Sequence, residues 1–241
     1  MKTKLTLFVT VLAFCLQHGL AGADLKKGLV AYYPFNGNSL DESGNGIHGG
    51  VNGATFDSDR HNKRKSAYNF NGRSWVELPK NKTLKFGAGD FSYCAWINTS
   101  LVDLGARATA TIISEDSNGN PNRFLALETG GHPIFGVRDS AGVNVRVTNE
   151  DSIADSKWHQ IVGTRKGAHF SLAVDGNIVA VVENLKAGSS NAEIPVGIGA
   201  RMDSASKNPF KGSIDDVRIY NRALSAAEVK ALYDLEKPKA K

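Results

Sequence analysis

Residues 212–233, GSIDDVRIYNRALSAAEVKALY, decide the fold. They read as a β-strand carrying adjacent acids, Asp215 and Asp216, followed at once by a short capped helix. Ser225 and Glu228 fit a capping box, in which the serine oxygen accepts the amide three residues on and the glutamate reaches back. Leu224 and Val229 stand at the two positions of a hydrophobic staple around that cap. Val229, Leu232 and Tyr233 make an i, i+3, i+4 apolar stripe, which predicts a helix docked against a sheet.

Upstream, Gly28 to Tyr220 is a succession of short β-rich runs broken by Gly, Asn and Asp. Ser74–Leu78, Phe91–Ile97, Phe124–Leu127, Asn144–Val147 and Trp158–Thr164 read as strands. Ser171–Val174 and Ile178–Val182 flank Asp175-Gly176-Asn177, which reads as a three-residue hairpin turn. No segment before Ser225 shows sustained helical periodicity. Many short strands at regular spacing predict an all-β sandwich or jelly roll. No Pro-rich or Ser-rich linker interrupts the interior, so residues 24–236 read as one domain, with 237–241 a polar tail.

Ordered motifs along the chain resemble the laminin-G-like, concanavalin A-like jelly-roll family. They are Tyr33-Pro34-Phe35-Asn36-Gly37-Asn38, Asp41-Glu42-Ser43-Gly44-Asn45-Gly46, Phe70-Asn71-Gly72 with Trp75-Val76-Glu77-Leu78, and Phe91 through Ile97. Trp158-His159-Gln160-Ile161-Val162, Leu172-Ala173-Val174-Asp175-Gly176 and Ile214 through Tyr220 complete the series. The resemblance implies two antiparallel sheets with a short C-terminal helix, and first and last strands lying side by side.

The N-terminus has the three-part layout of a secretory signal: Lys2 and Lys4, a largely apolar run from Leu5 to Leu16, and Ala21-Gly22-Ala23. The run falls short of the roughly 18 residues that a membrane span requires. Cleavage after Ala23 is expected, giving a secreted or periplasmic chain without stable membrane insertion. A lipoprotein modified at Cys15 is the alternative, disfavoured by the bulky Phe14 before it. Cleavage would remove two lysines, taking the formal charge from +5 to +3. That excess is too small for nucleic-acid binding, which needs a concentrated basic stripe. Arg60-His61-Asn62-Lys63-Arg64-Lys65 is the one basic cluster and reads as a solvated loop. Cys94, within an apolar run, reads as a buried, inert thiol.

The chemical candidate is a hard-cation site. Asn36, Asn38 and Asp41 offer oxygens on a strand end and its turn, and the resemblance brings Asp215 beside them. Calcium accepts six to eight oxygens in flexible geometry, so a structural calcium at Asn36, Asn38, Asp41 and Asp215 is expected. These side chains equally suit plain Asx turns. Strand alternation sends Asp215 and Asp216 to opposite faces, which selects Asp215 as the ligand. Glycosidase chemistry wants two carboxyl groups facing each other across a cleft, and no strand candidate carries acids at i and i+2 or i+4. Glu115-Asp116 and Glu150-Asp151 read as loop acids, and His159 as a structural histidine. Trp75, Trp96 and Trp158 fall on core positions, leaving no evident sugar platform, while Arg123, Arg138 and Arg146 could face an acidic glycan. The expectation is a non-catalytic extracellular binding module for a carbohydrate or glycoconjugate. A protein-interaction or envelope-structural module comes next, and a glycan-active enzyme of the same fold last.

Overall fold

Strand alternation becomes two antiparallel sheets packed face to face in the computed structural model, which describes residues 23–105, 109–116, 121–203 and 208–239. Residues 1–22 of the expected signal, Cys15 among them, and the last two residues of the tail lie outside the described residues. In chain order the strands are β1 (Leu29–Tyr33), β2 (Gly50–Asn52), β3 (Thr55–Asp57), β4 (Ala67–Asn71) and β5 (Trp75–Leu78). Next come β6 (Phe91–Asn98), β7 (Thr109–Asp116), β8 (Asn122–Glu128), β9 (His132–Arg138) and β10 (Asn144–Thr148). The rest are β11 (Trp158–Lys166), β12 (His169–Val174), β13 (Asn177–Val182), β14 (Val196–Ile198) and β15 (Lys211–Tyr220), before helix α1 (Ala226–Glu236).

One sheet has the order β13-β12-β11-β6-β15-β4-β3, and the other β10-β9-β8-β7-β14-β5-β2. Strand β15 is the spine of the first. Along one edge it pairs with β6; along the other it pairs first with β4, through Lys211–Ile214, and then with β1, through Val217–Tyr220. The expected adjacency of first and last strands therefore holds.

Alternate residues of each strand fill the space between the sheets. Phe91, Tyr93, Ala95 and Ile97 of β6, with Ile214, Val217 and Ile219 of β15, meet Ile113, Leu125, Leu127, Phe135 and Val137 of the opposite sheet. Strands β2, β3, β7, β9 and β14 went unread in the sequence. In β9, Pro133 and Gly136 imitate turn residues, yet the Phe124 ring covers Gly136 so closely that a Cβ there would sit 2.2 Å from it. The hairpin after β12 is one residue shorter than expected: Val174 pairs with Asn177, leaving Asp175 and Gly176 as a two-residue turn. Both have positive φ, 49° and 79°, the geometry of a type I′ turn, for which Asp-Gly is suited.

The helix forms as the closing segment predicts. Ser225 caps it, and both arms of the capping box with Glu228 are made. Its Val229 and Leu232, with Leu224, pack on Cys94, Val162, Ala173 and Tyr220 on the outward face of the β15 sheet. Tyr233 stacks on Trp96 with ring centroids 5.6 Å apart. Cys94 is buried there, and burial pushes its thiol far above the usual range. No helix among the described residues is long and apolar enough to cross a membrane.

Candidate functional site

The outward residues of β6 divide this face of the sheet into three zones. Ser92 accepts the Leu224 amide before the helix, and Cys94 lies beneath the helix itself. Trp96 lies under the last helical turn, its Nε1 donating to Glu236 Oε2 at 2.7 Å. Asn98 lies past the helix, in an open groove.

A buried ionic cluster closes the end of the helix. The Arg60 guanidinium donates to Asp215 Oδ2 at 2.8 Å and to Asp216 Oδ2 at 2.7 Å, while its Nε donates to the Glu236 carbonyl at 2.6 Å. Glu236 is ion-paired with Arg218 and also accepts from Gln160 Nε2 at 3.1 Å. Tyr32 donates its hydroxyl to Asp216 Oδ1 at 2.6 Å. Three carboxylates thus face two guanidiniums. Burial, reinforced by the neighbouring Asp216 charge, pushes Asp215 up to about 8 despite Arg60, and burial likewise raises Glu236. With one carboxylate more than there are guanidiniums, the arrangement favours a proton on the cluster.

Two expectations change here. Asp215 and Asp216 do not point to opposite faces, because a β-bulge between Asp215 and Arg218, with Asp216 at φ 44°, turns both carboxylates to the same guanidinium. The basic loop is not wholly solvated, since the Arg60 side chain is only 5% exposed.

The expected calcium ligands have protein partners. Both Asp41 oxygens accept backbone amides: Oδ1 from Tyr32 at 3.0 Å and Ser43 at 2.9 Å, Oδ2 from Ile47 at 3.0 Å. Those bonds hold its carboxyl below the usual range even though burial opposes them. Asn36 Oδ1 accepts from the Lys63 ammonium, and Asn38 Oδ1 from the Leu40 amide, each at 2.8 Å. The Asp215 oxygens are taken by Arg60 and by the Asp216 amide. No grouping of three or more His, Cys, Asp or Glu suited to a metal occurs among the described residues. As arranged, these four side chains do not fit a calcium shell; the positive charge beside Asp215 comes from Arg60.

The groove beyond the helix has a volume of about 590 Å³. Strand β4 contributes Asn69 and Asn71, β6 contributes Asn98, β15 contributes Lys211 and Ser213, and β11 with its preceding loop contributes Trp158 and Ser156. Asp57 and Asp59 border it. Its hydrogen bonds fix the polar groups: Asn69 Nδ2 donates to Ser213 Oγ at 3.2 Å, Ser213 donates to Asp57 Oδ2 at 2.5 Å, and Asn98 Nδ2 donates to the Ser156 carbonyl at 3.2 Å. Gly212 forms part of the lining. Its φ is +139°, and a Cβ there would lie 2.3 Å from the Asn98 carbonyl oxygen. Amides, hydroxyls, a carboxylate and a half-buried tryptophan on rigid strands match the donors, acceptors and apolar faces of a polyhydroxylated ligand.

Sequence reasoning placed none of these groove residues in a site. Of the three tryptophans expected in the core, only Trp96 is fully buried; Trp75 and Trp158 are half-buried. Arg123 does not face solvent, being fully buried with Glu115 at 2.5 Å and Tyr93 at 2.8 Å. Glu115 and Asp116 belong to β7 rather than a loop, and Glu115 also pairs with Lys85 at 2.7 Å. His159 is structural as read, clamped by Asp175 at 2.7 Å and Asp155 at 3.1 Å.

Solved structures share this architecture. The binding domain of Paraclostridial Mosquitocidal Protein 1 superposes with a TM-score of 0.72 at 20% identity, over 87% of this chain and 52% of that one. The botulinum neurotoxin serotype G binding domain gives 0.68 at 20% identity, over 86% and 51%. Domain 4 of AbnA, an extracellular arabinanase from Geobacillus stearothermophilus solved with arabinotriose, gives 0.63 at 20% identity, over 85% and 98%. At these identities the likeness is one of fold. Among curated sequences, Subtilisin-like protease 9 of Arthroderma gypseum is 29% identical over 137 residues, 52% of this chain. That match spans about a third (34%) of the relative's length. Residues 70–230 match the Laminin_G_3 family model, and the chain belongs to the concanavalin A-like lectin/glucanases superfamily.

Proposed function

We propose that this protein is a non-catalytic, extracellular or periplasmic binding module whose ligand is a carbohydrate or glycoconjugate, held in the groove beyond helix α1. The observation that carries the reading is the convergence of Asn69, Asn71, Asn98, Ser213 and Trp158 on one open cavity. Such a mixture of fixed polar groups and an aromatic side chain suits sugar hydroxyls and ring faces. The arabinotriose held by one structural neighbour supports the same chemistry. The secretory layout of the N-terminus supports an extracellular address. Arg60 and Arg218 supply positive charge beside Asp215, Asp216 and Glu236, so the reading does not depend on calcium.

A second reading, protein docking, draws on strand β13, where Ile178, Val179 and Val181 are 39%, 39% and 51% exposed at a sheet edge. An array of neutral and acidic oligosaccharides followed by calorimetry separates the two. Glycan binding that Trp158→Ala and Asn98→Ala each weaken by about tenfold or more, with melting temperature retained, supports the groove. Failure of every oligosaccharide to bind refutes it.

A further inference from the structure

The groove does not end at Lys211. A second cavity of about 290 Å³ adjoins it, and the two share Asn71, Leu101 and Lys211 as lining. Arg73 and Asp103 complete the polar lining of this second cavity. Lys211 and Arg73 are both exposed, and among the described residues neither has a carboxylate within ion-pair distance. Asp103 accepts the Gly105 amide at 2.7 Å, which holds it within its own turn. The far end of the first cavity has the opposite character, bordered by Asp57 and Asp59. The cleft is thus graded in charge, with Asp57 and Asp59 at one end, amides along the middle and, at the other, two cations beside the single carboxylate of Asp103, which lies outside ion-pair distance of both.

Resting on the carbohydrate reading above, we propose that the cleft takes a linear oligosaccharide with a neutral unit among the amides and an anionic unit, carboxylated or sulfated, over Lys211 and Arg73. Cavities of several hundred Å³ hold drug-sized ligands, so two in series call for an oligomer rather than one ring. The acidic end repels a second anion, which sets the direction of the chain. Because the two cations are exposed, each contributes a modest, salt-screened share, about 1.5- to fivefold in affinity.

The test is calorimetry on the full chain with three probes: a trisaccharide of two neutral sugars ending in one uronic acid, its carboxyl-reduced neutral counterpart, and a monosulfated trisaccharide. The expected result is about two- to 25-fold tighter binding of the uronic or the sulfated probe than of the neutral one, in low salt. That preference disappears in Arg73→Ala/Lys211→Ala and at high salt, and whichever charged probe wins identifies the anion. Equal binding of charged and neutral probes, all weakened by Asn98→Ala, overturns this inference and leaves the carbohydrate reading standing. A charge preference that survives the double substitution overturns it as well. If no probe or neutral glycan binds, both fall.

Discussion

Replacing Arg60 with alanine removes one of two guanidiniums facing Asp215, Asp216 and Glu236, whose side chains are 2%, 11% and 6% exposed. Breaking a buried pair by deleting one partner costs about 3–5 kcal/mol, because the remaining charges stay buried without compensation. Two further contacts disappear with it. One is the guanidinium 4.6 Å above the Trp96 ring; the other is the hydrogen bond to the Glu236 carbonyl at the helix end. The loss depends on pH. Asp215 holds its proton up to about 8, so near pH 5 Arg60 faces one ionised carboxylate fewer than near pH 9, and its removal forfeits less. Urea unfolding should therefore show Arg60→Ala destabilised by about 3–5 kcal/mol near pH 9 and by clearly less near pH 5. Adding Asp215→Asn to the alanine variant should recover part of the loss. A loss below about 1 kcal/mol, the level of an exposed ion pair, or the same loss at both pH values, would refute the role assigned to Arg60.

Three other outcomes follow from the same packing. Leu232→Ala, which truncates a fully buried side chain beneath the helix, should cost about 2–5 kcal/mol in a denaturant melt and leave glycan affinity of the folded fraction unchanged. Wild-type stability should fall as pH rises from about 4 toward 8, by up to about 1.4 kcal/mol per pH unit. The sign comes from Asp215, whose folded value is raised: its contribution is complete below the unfolded value near 4 and is lost as pH climbs through about 8. His159, raised chiefly by its bond to Asp175, acts in the same direction, and Asp215→Asn should flatten the curve. Chelation should leave the melting temperature unchanged. A drop of several degrees on adding EDTA, reversed by calcium, would restore the cation site at Asn36, Asn38, Asp41 and Asp215.

The sequence by itself determined what depends on near neighbours. The cap formed by Ser225 and Glu228, the staple of Leu224 on Val229 and the apolar stripe through Leu232 involve residues three to five apart, so their spacing states the contact. Only the tertiary structure decided the face of Asp216, because one bulged residue reverses alternation and leaves little trace in composition. Only it brought Arg60, 155 positions away in the chain, onto Asp215. The groove was illegible for the same reason: Asn69, Asn98, Trp158 and Ser213 are unremarkable singly and converge through the sheet order β11-β6-β15-β4 and its register. Hydrogen-bond ladders set that register among strands far apart in sequence, and no local pattern encodes which polar side chains will share a cavity.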